Sequence, residues 1–342
     1  MRGSNATATR QGAPLRVGVP LLGGAAVIAA LFAIDAFAPQ LFAAPLPTRA
    51  QDAITLALSV LIESLPFVVL GVVLSIVVQV WVPPGVLERW MPRRAWARRA
   101  VLSLLGMLIP VCECGNVPFA RGLLMRGFTV SETLTFLVAA PIVNPIVIIT
   151  THAAFGFDDN ILIARLIGGY LVANLIGWLY SRHPSPDALV TDRFRQTCEL
   201  QLSQEGGASG RGRRSLAQFV IELRSVMPAL VIGSALAGAV QILVPRDTLV
   251  AIGSDPALSI VAMIALALVV SICSNVDAFF ALSFAASFTP GSLVAFLVVG
   301  PIVDVKMLAL LRTTFTTRVL VGLTAVVVLF AFALGTVVNL GA

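Results

Sequence analysis

Nine long apolar stretches alternate with short polar, Pro-bearing or Arg-bearing segments, near residues 17–38, 53–82, 100–126, 131–151, 160–181, 216–244, 257–285, 291–311 and 319–340. Most run about 17 to 28 residues, enough for a helix to cross a hydrocarbon core of about 30 Å. None shows the period of two that a barrel strand would need. Helices are the expected spans, because a helix satisfies its own backbone donors and acceptors where no water can. The pattern therefore predicts an all-α fold, a polytopic membrane helical bundle.

The pattern is also duplicated. Cys114-Gly115-Asn116-Val117 and Ala140-Pro141-Ile142-Val143-Asn144 recur as Cys273-Ser274-Asn275-Val276 and Gly300-Pro301-Ile302-Val303-Asp304. Pro66, Gly71, Gln79 and Val82-Pro83 are matched by Pro228, Gly233, Gln241 and Val244-Pro245, and Arg165 with Gly169 by Arg318 with Gly322. The offset stays at roughly 160 residues, as an internal repeat requires.

Composition and charge turn these stretches into a topology. Of 342 residues, 58% are hydrophobic and 12% charged, against about 25% charged in a soluble domain. The net charge of +6 comes from Arg scattered between apolar runs, a distribution that sets membrane orientation and excludes a nucleic-acid partner. If all nine runs crossed, Arg89, Arg93, Arg94, Arg98 and Arg99 would face one side, and Arg182, Arg193, Arg195, Arg211, Arg213 and Arg214 the other. Suppose instead that 100–126 and 257–285 dip into the membrane and return, as re-entrant hairpins. All those Arg then face the cytoplasm, joined by Arg121, Arg126, Arg312 and Arg318, while Asp158-Asp159, Arg246, Asp247 and Asp255 lie outside.

Each half then has three spans plus one hairpin, and the odd number of crossings makes the halves inverted repeats. The expected organisation is an N-terminal tail and extra membrane helix over 1–50, a first repeat over 51–181, a cytoplasmic linker over 182–215 poorly ordered in its middle, and a second repeat over 216–342. The N-terminal run Val17 to Phe37 follows Arg2, Arg10 and Arg16. It exceeds the length of a cleaved signal core and reads as a retained helix in the bacterial inner (plasma) membrane.

The chemistry gathers where the apolar runs are interrupted. Pro110-Val111-Cys112-Glu113-Cys114-Gly115-Asn116-Val117-Pro118 places two prolines, a glycine and four polar side chains at the depth of the first hairpin. Non-helical backbone there is tolerated only where it lines a cavity or is buried in protein; a plain helix kink is the bland alternative. Cys112 and Cys114, with Cys273 at the equivalent tip, offer thiolates suited to a soft ion such as copper(I), zinc or trivalent arsenic. Small apolar packing is the competing reading of those thiols.

Glu113, Asp277, Asp304 and Lys306 are ionisable groups within or near spans, so each marks either a pathway or a neutralised pair. Lys306 with Asp277 or Asp304 would be a structural pair, and Glu113 has no cationic partner in its own hairpin. Asn144 between Pro141 and Pro145, with Asp304 after Pro301, is expected to form a second wall of the site. Asn116 and Asn275 either line it or bind loose backbone groups at the tips. Glu63 reads as a gating or packing residue, and Cys198 in the linker as inert. No P-loop, Rossmann glycine pattern, HExxH or nucleophile elbow stands in a believable context, so neither an enzyme nor a resident cofactor is expected.

The run Cys112 to Pro118, with Arg121-Gly122, Gly127 and Ala139 to Pro145, resembles the predicted permease family that includes the ArsP-type organoarsenical efflux permeases. Cys273 to Phe279 and Gly300 to Lys306 are closer to its uncharacterised bacterial branch. The resemblance covers the chain from about residue 50 and implies an inner-membrane permease. It also implies thiol coordination of arsenicals by Cys112 and Cys114, with Cys273 a candidate, and a second membrane subunit or homo-oligomer as partner. Glu113 stands where the family commonly has Ser, which weakens the inference to organoarsenicals.

The expected substrate-binding set is thus Cys112, Glu113, Cys114, Asn116, Asn144, Cys273, Asn275, Asp277, Asp304 and Lys306, exporting a small thiophilic solute or metal ion. The rivals are a membrane redox subunit using Cys112 and Cys114, and a non-transporting subunit whose polar residues lock helices together. Tight, dry packing around Asp304 and Lys306 would favour the latter.

Overall fold

The computed structural model describes residues 48–342 apart from 84–85, 109–110, 158–159, 205–210, 244–254 and 342. The expected N-terminal helix and the outer segments at Asp158-Asp159 and Arg246-Asp247 lie outside the described residues. The first half contains α1 (Thr48–Ile76, continued by one wider turn, Val77–Trp81), α2 (Val86–Trp90), α3 (Ala95–Leu104, tightening through Leu105–Met107), α4 (Glu113–Met125), α5 (Val130–Val143), α6 (Pro145–Phe155) and α7 (Ile161–Ser181). After α8 (Asp192–Gln204) come α9 (Arg211–Leu243), α10 (Pro256–Val270), α11 (Asp277–Leu282), α12 (Pro290–Val299), α13 (Val305–Leu311) and α14 (Thr317–Gly341). Among the described residues the one β feature is an isolated bridge between Val190 and Phe315.

Among the described residues, five segments are long and apolar enough to cross a bilayer: Ala50–Trp81, Val130–Phe155, Ile161–Ser181, Arg211–Val240 and Thr317–Gly341. The stretches near 100–126, 257–285 and 291–311 are each broken, and so is 131–151 at Asn144. The breaks follow from local chemistry. Pro145 has no amide hydrogen to continue α5. The side chain of Asn144 turns back to cap α6, accepting from Ile146 N at 2.9 Å, while its Nδ2 donates to the Val111 carbonyl at 3.0 Å. One residue thus satisfies loose backbone groups at two separate breaks. Asp304 does the same for α13 by accepting from Met307 N at 2.5 Å. Ser271 ends α10 in the left-handed region, with φ of 49°.

The two halves pack in matched pairs. α3 lies on α5 as α10 lies on α12, α4 on α5 as α11 on α12, and α5 on α7 as α12 on α14. Across the halves, α4 meets α13 and α11 meets α6. The first helices of the halves, α1 and α9, lie antiparallel against each other. Gly238 abuts Ala53 and Ala57, while at the opposite end Gln218 donates to Gln79 at 2.9 Å and Trp81 to Ser215 at 3.3 Å. The matched glycines Gly71 and Gly233 serve close approach. A Cβ on Gly71 would fall 2.0 Å from the Gly115 carbonyl oxygen of α4, and one on Gly233 would fall 3.2 Å from the Lys306 backbone. Each lets a long helix press on a segment that carries the polar cluster.

The segment between the halves is more structured than expected. Its middle forms α8, and the residues before α8 dock on the turn preceding α14 through Thr191 N to the Thr314 carbonyl at 2.9 Å. Phe194 is buried beneath it, its ring 4.8 Å from the Arg121 guanidinium carbon.

Candidate functional site

The breaks before α4 and before α11, the positions expected as tips, meet. Cys112 is the N-cap of α4, and Glu113 occupies the first helical position, where free backbone N–H groups and the helix dipole favour an anion. The Glu113 carboxylate collects donors from both halves. Its Oε2 accepts from Ser274 Oγ at 2.9 Å and Ser274 N at 3.3 Å, with Cys273 Sγ at 3.8 Å. Its Oε1 faces Lys306 Nζ at 3.3 Å and Cys114 Sγ at 4.0 Å. The missing partner of Glu113 is therefore Lys306 from the other half, a lysine expected to pair with Asp277 or Asp304.

The Cys112 thiol lies within reach of both Cys114 and Cys273. Ligating atoms of Cys112, Glu113 and Cys273 all lie within 4.8 Å of one another. Cys114 sits slightly aside, its sulfur against Ser64 Oγ at 3.6 Å. All of these residues, with Lys306, are at most 3% exposed. Two thiols and a carboxylate at this spacing suit a thiophilic cation, since sulfur selects soft ions and the oxygen contributes charge.

The other expected residues take different positions. Asp277 is held away from the cluster by Arg165, which donates to both carboxylate oxygens at 3.0 and 2.6 Å and also to Thr151 at 2.7 Å. Asn144 caps and braces, as above. Asp304 is fully buried beside Lys306; its Oδ2 closes no hydrogen bond, and neither does the amide group of Asn116 or the Oδ1 of Asn275. Buried polar atoms left over in this way are uncommon and concentrate where a protein has something other than its own chain to bind.

Sequence reading did not anticipate four participants. Ser274 and Ser64 are too common a residue type to stand out. Glu63, noted only as a gate or packing residue, stands near enough to Lys306, Glu113 and Cys273 for each to act on its charge. Arg121, expected on the cytoplasmic face, is buried. It pairs through Nε with Glu222 at 2.9 Å, while its Nη1 donates to the Thr313 and Thr314 hydroxyls.

Residues 49–340 match the profile of the ArsP_1 family, described as "Predicted permease". The chain belongs to this permease family. It is 33% identical over 277 residues, covering 80% of this chain and 90% of the relative, to the "Putative two-component membrane permease complex subunit" of Streptococcus mutans. It is 35% identical over 280 residues, covering 81% of this chain and 93% of the relative, to the UPF0718 protein YcgR of Bacillus subtilis. No solved structure matches. With five candidate spans among its described residues, this permease is a multi-pass bacterial membrane protein, and its relatives point to transport rather than catalysis.

Proposed function

We propose that this permease carries a small thiophilic solute or metal ion, organoarsenical-like in its chemistry, outward across the membrane. The observation that carries the reading is the convergence of Cys112, Glu113 and Cys273 within 4.8 Å, from breaks in two halves of a duplicated chain. Cargo held there is coordinated by both thiols and by Glu113, and where it is a cation its charge takes over the role of Lys306 in neutralising that carboxylate. Transport proceeds by alternating access between inverted repeats whose re-entrant tips share the cargo. The antiparallel pairing of α1 with α9 and the matched contacts of the two halves support that reading. The name of the Streptococcus mutans relative supports a second membrane subunit as the partner.

The test is a resistance and uptake panel with methylated arsenite, arsenite, zinc, copper and cobalt. Cys112→Ser and Cys273→Ser are each expected to abolish transport of the true cargo while the protein still reaches the membrane. Cys114→Ser is expected to lose less, because its sulfur faces Ser64. Unimpaired transport by the thiol-free protein would end the proposal. The second reading, a subunit that locks helices without transporting, is favoured by the burial of Asp304 and Lys306. It predicts that no compound in the panel distinguishes cells with the protein from cells without it.

A further inference from the structure

Glu63 differs from every other charged group of the cluster in being exposed. Lys306, Glu113 and Cys273 are all buried, whereas Glu63 stands on α1 between the exposed Ile62 and the buried Ser64, near the middle of a segment long enough to span. A carboxylate at that depth is unfavourable on a lipid face and persists where it is wetted or partnered. Three ionisable groups face it from three other elements: Lys306 on α13, Glu113 on α4, and Cys273 in the break before α11. Its neighbour Ser64 holds the Cys114 sulfur at 3.6 Å, so α1 touches the thiols from two successive positions.

We propose that Glu63 is the entry carboxylate of the thiol site, the group that a cation meets first and that passes it to Cys273. This rests on the thiol site proposed above and adds the route into it. The geometry gives Glu63 two tasks. It draws a cation along the flank of α1 to within reach of the Cys273 sulfur. It also offers Lys306 an alternative anion, so that Lys306 can leave Glu113 when cargo takes that oxygen, with no buried charge left uncompensated. A neutral or anionic solute would gain nothing from this arrangement, so the inference also narrows the cargo to a cationic species.

The experiment uses the full-length protein in lipid nanodiscs with cadmium(II) as the probe, following the ultraviolet absorbance of the metal–thiolate bond by stopped flow. Wild type is expected to develop the absorbance and Cys112→Ser with Cys273→Ser to lose it. Glu63→Gln should reach a comparable final amplitude about tenfold more slowly and with a weaker dependence on salt, as expected for loss of a steering charge. Glu63→Asp, which keeps the charge, should recover most of the rate. If Glu63→Gln matches wild type in rate and salt dependence, the entry role falls while the thiol site stands; absence of any wild-type signal overturns both.

A second measurement does not depend on the metal. With the four native cysteines changed to Ser, Glu63→Cys should react with a charged, membrane-impermeant thiol reagent added to one side of sealed vesicles. No reaction from either side would place the position in lipid and overturn the proposal.

Discussion

The two tips occupy equivalent places in the duplicated sequence yet use their carboxylates differently. At the first, Glu113 is held by a single Lys306 contact at 3.3 Å and shares its oxygens with Ser274 and two thiols. At the second, Asp277 is clamped by Arg165 through two bonds of 3.0 and 2.6 Å, with Thr151 holding the same guanidinium. A planar guanidinium matched to a carboxylate fixes geometry, whereas an ammonium on a flexible stem is a point charge that can change partners. The first tip thus keeps its anion available for exchange, and the second uses its anion to anchor α11 to α7. The two halves share one frame, but the loosely held carboxylate stands at the first tip and the clamped one at the second.

The largest expected effect follows from that contrast. Arg165→Ala leaves Asp277 buried without its counter-ion, and breaking a buried pair in this way costs about 3 to 5 kcal/mol. The variant should lose most of its folded yield in detergent, or a large part of its melting temperature. Glu113→Gln, by contrast, leaves Lys306 beside the Asp304 carboxylate, and Ser274 can still donate to the amide oxygen. Its cost should be nearer 1.5 to 3 kcal/mol, roughly that of one charge-assisted hydrogen bond. Equal destabilisation by the two variants would make Glu113 a structural lock like Asp277 and remove the basis for treating the tips as different.

Much of this frame was legible in the sequence. Pro145, Pro301, Gly115 and the thiols fall where the apolar pattern is interrupted, and those interruptions are breaks in the structure at 111–112, 144, 271–276 and 300–304. The pairing of charges was not legible. Asp277, Asp304 and Glu113 are equally plausible partners for Lys306 along the chain, and only the packing of α4 against α13 decides for Glu113. Arg121 looked like a surface topology charge because its partner Glu222 lies 101 residues away on α9. α8 was hidden for a different reason. Its sequence is so polar that it reads as a solvated linker, and its docking rests on Phe194 seated on a guanidinium.

A second, smaller contrast concerns the matched glycines. Gly71→Ala would bring a methyl group to 2.0 Å from the Gly115 carbonyl oxygen, a backbone atom at the first tip that cannot move without disturbing Cys112 and Glu113. Overpacking of this kind costs about 1 to 3 kcal/mol and should displace the tip. The equivalent Gly233→Ala meets Ala309 at 3.0 Å and the Lys306 backbone at 3.2 Å, which a few tenths of an ångström of adjustment would relieve. The expected result is loss of metal binding in Gly71→Ala with a milder loss in Gly233→Ala, measured by the same cadmium absorbance. The reverse order would mean that α13, rather than the first tip, is the more finely positioned side of the site.

The smallest effect distinguishes the thiols at the tips from the one outside the membrane segments. Cys198 on α8 is pushed from an ordinary value of 9.0 up to about 11, chiefly by burial, with the Glu222 charge adding to it and Arg121 opposing. A thiol reacts as its thiolate, and each unit of upward shift removes a factor of about ten from that form near neutral pH. At pH 8 Cys198 should therefore alkylate roughly a hundredfold more slowly than a free cysteine, with the rate rising as pH climbs toward 11. Because the burial comes from α8 lying over the Arg121–Glu222 pair, Cys198 also reports on that contact. Phe194→Ala removes the ring that seats α8 on Arg121 and leaves the Arg121–Glu222 pair intact, so α8 should lift and Cys198 should react faster, toward the rate of an exposed thiol. The tip thiols, buried among other groups of the cluster, should keep their reactivity in that variant. Acceleration of Cys112 and Cys273 together with Cys198 would show that α8 and the cluster open as one unit.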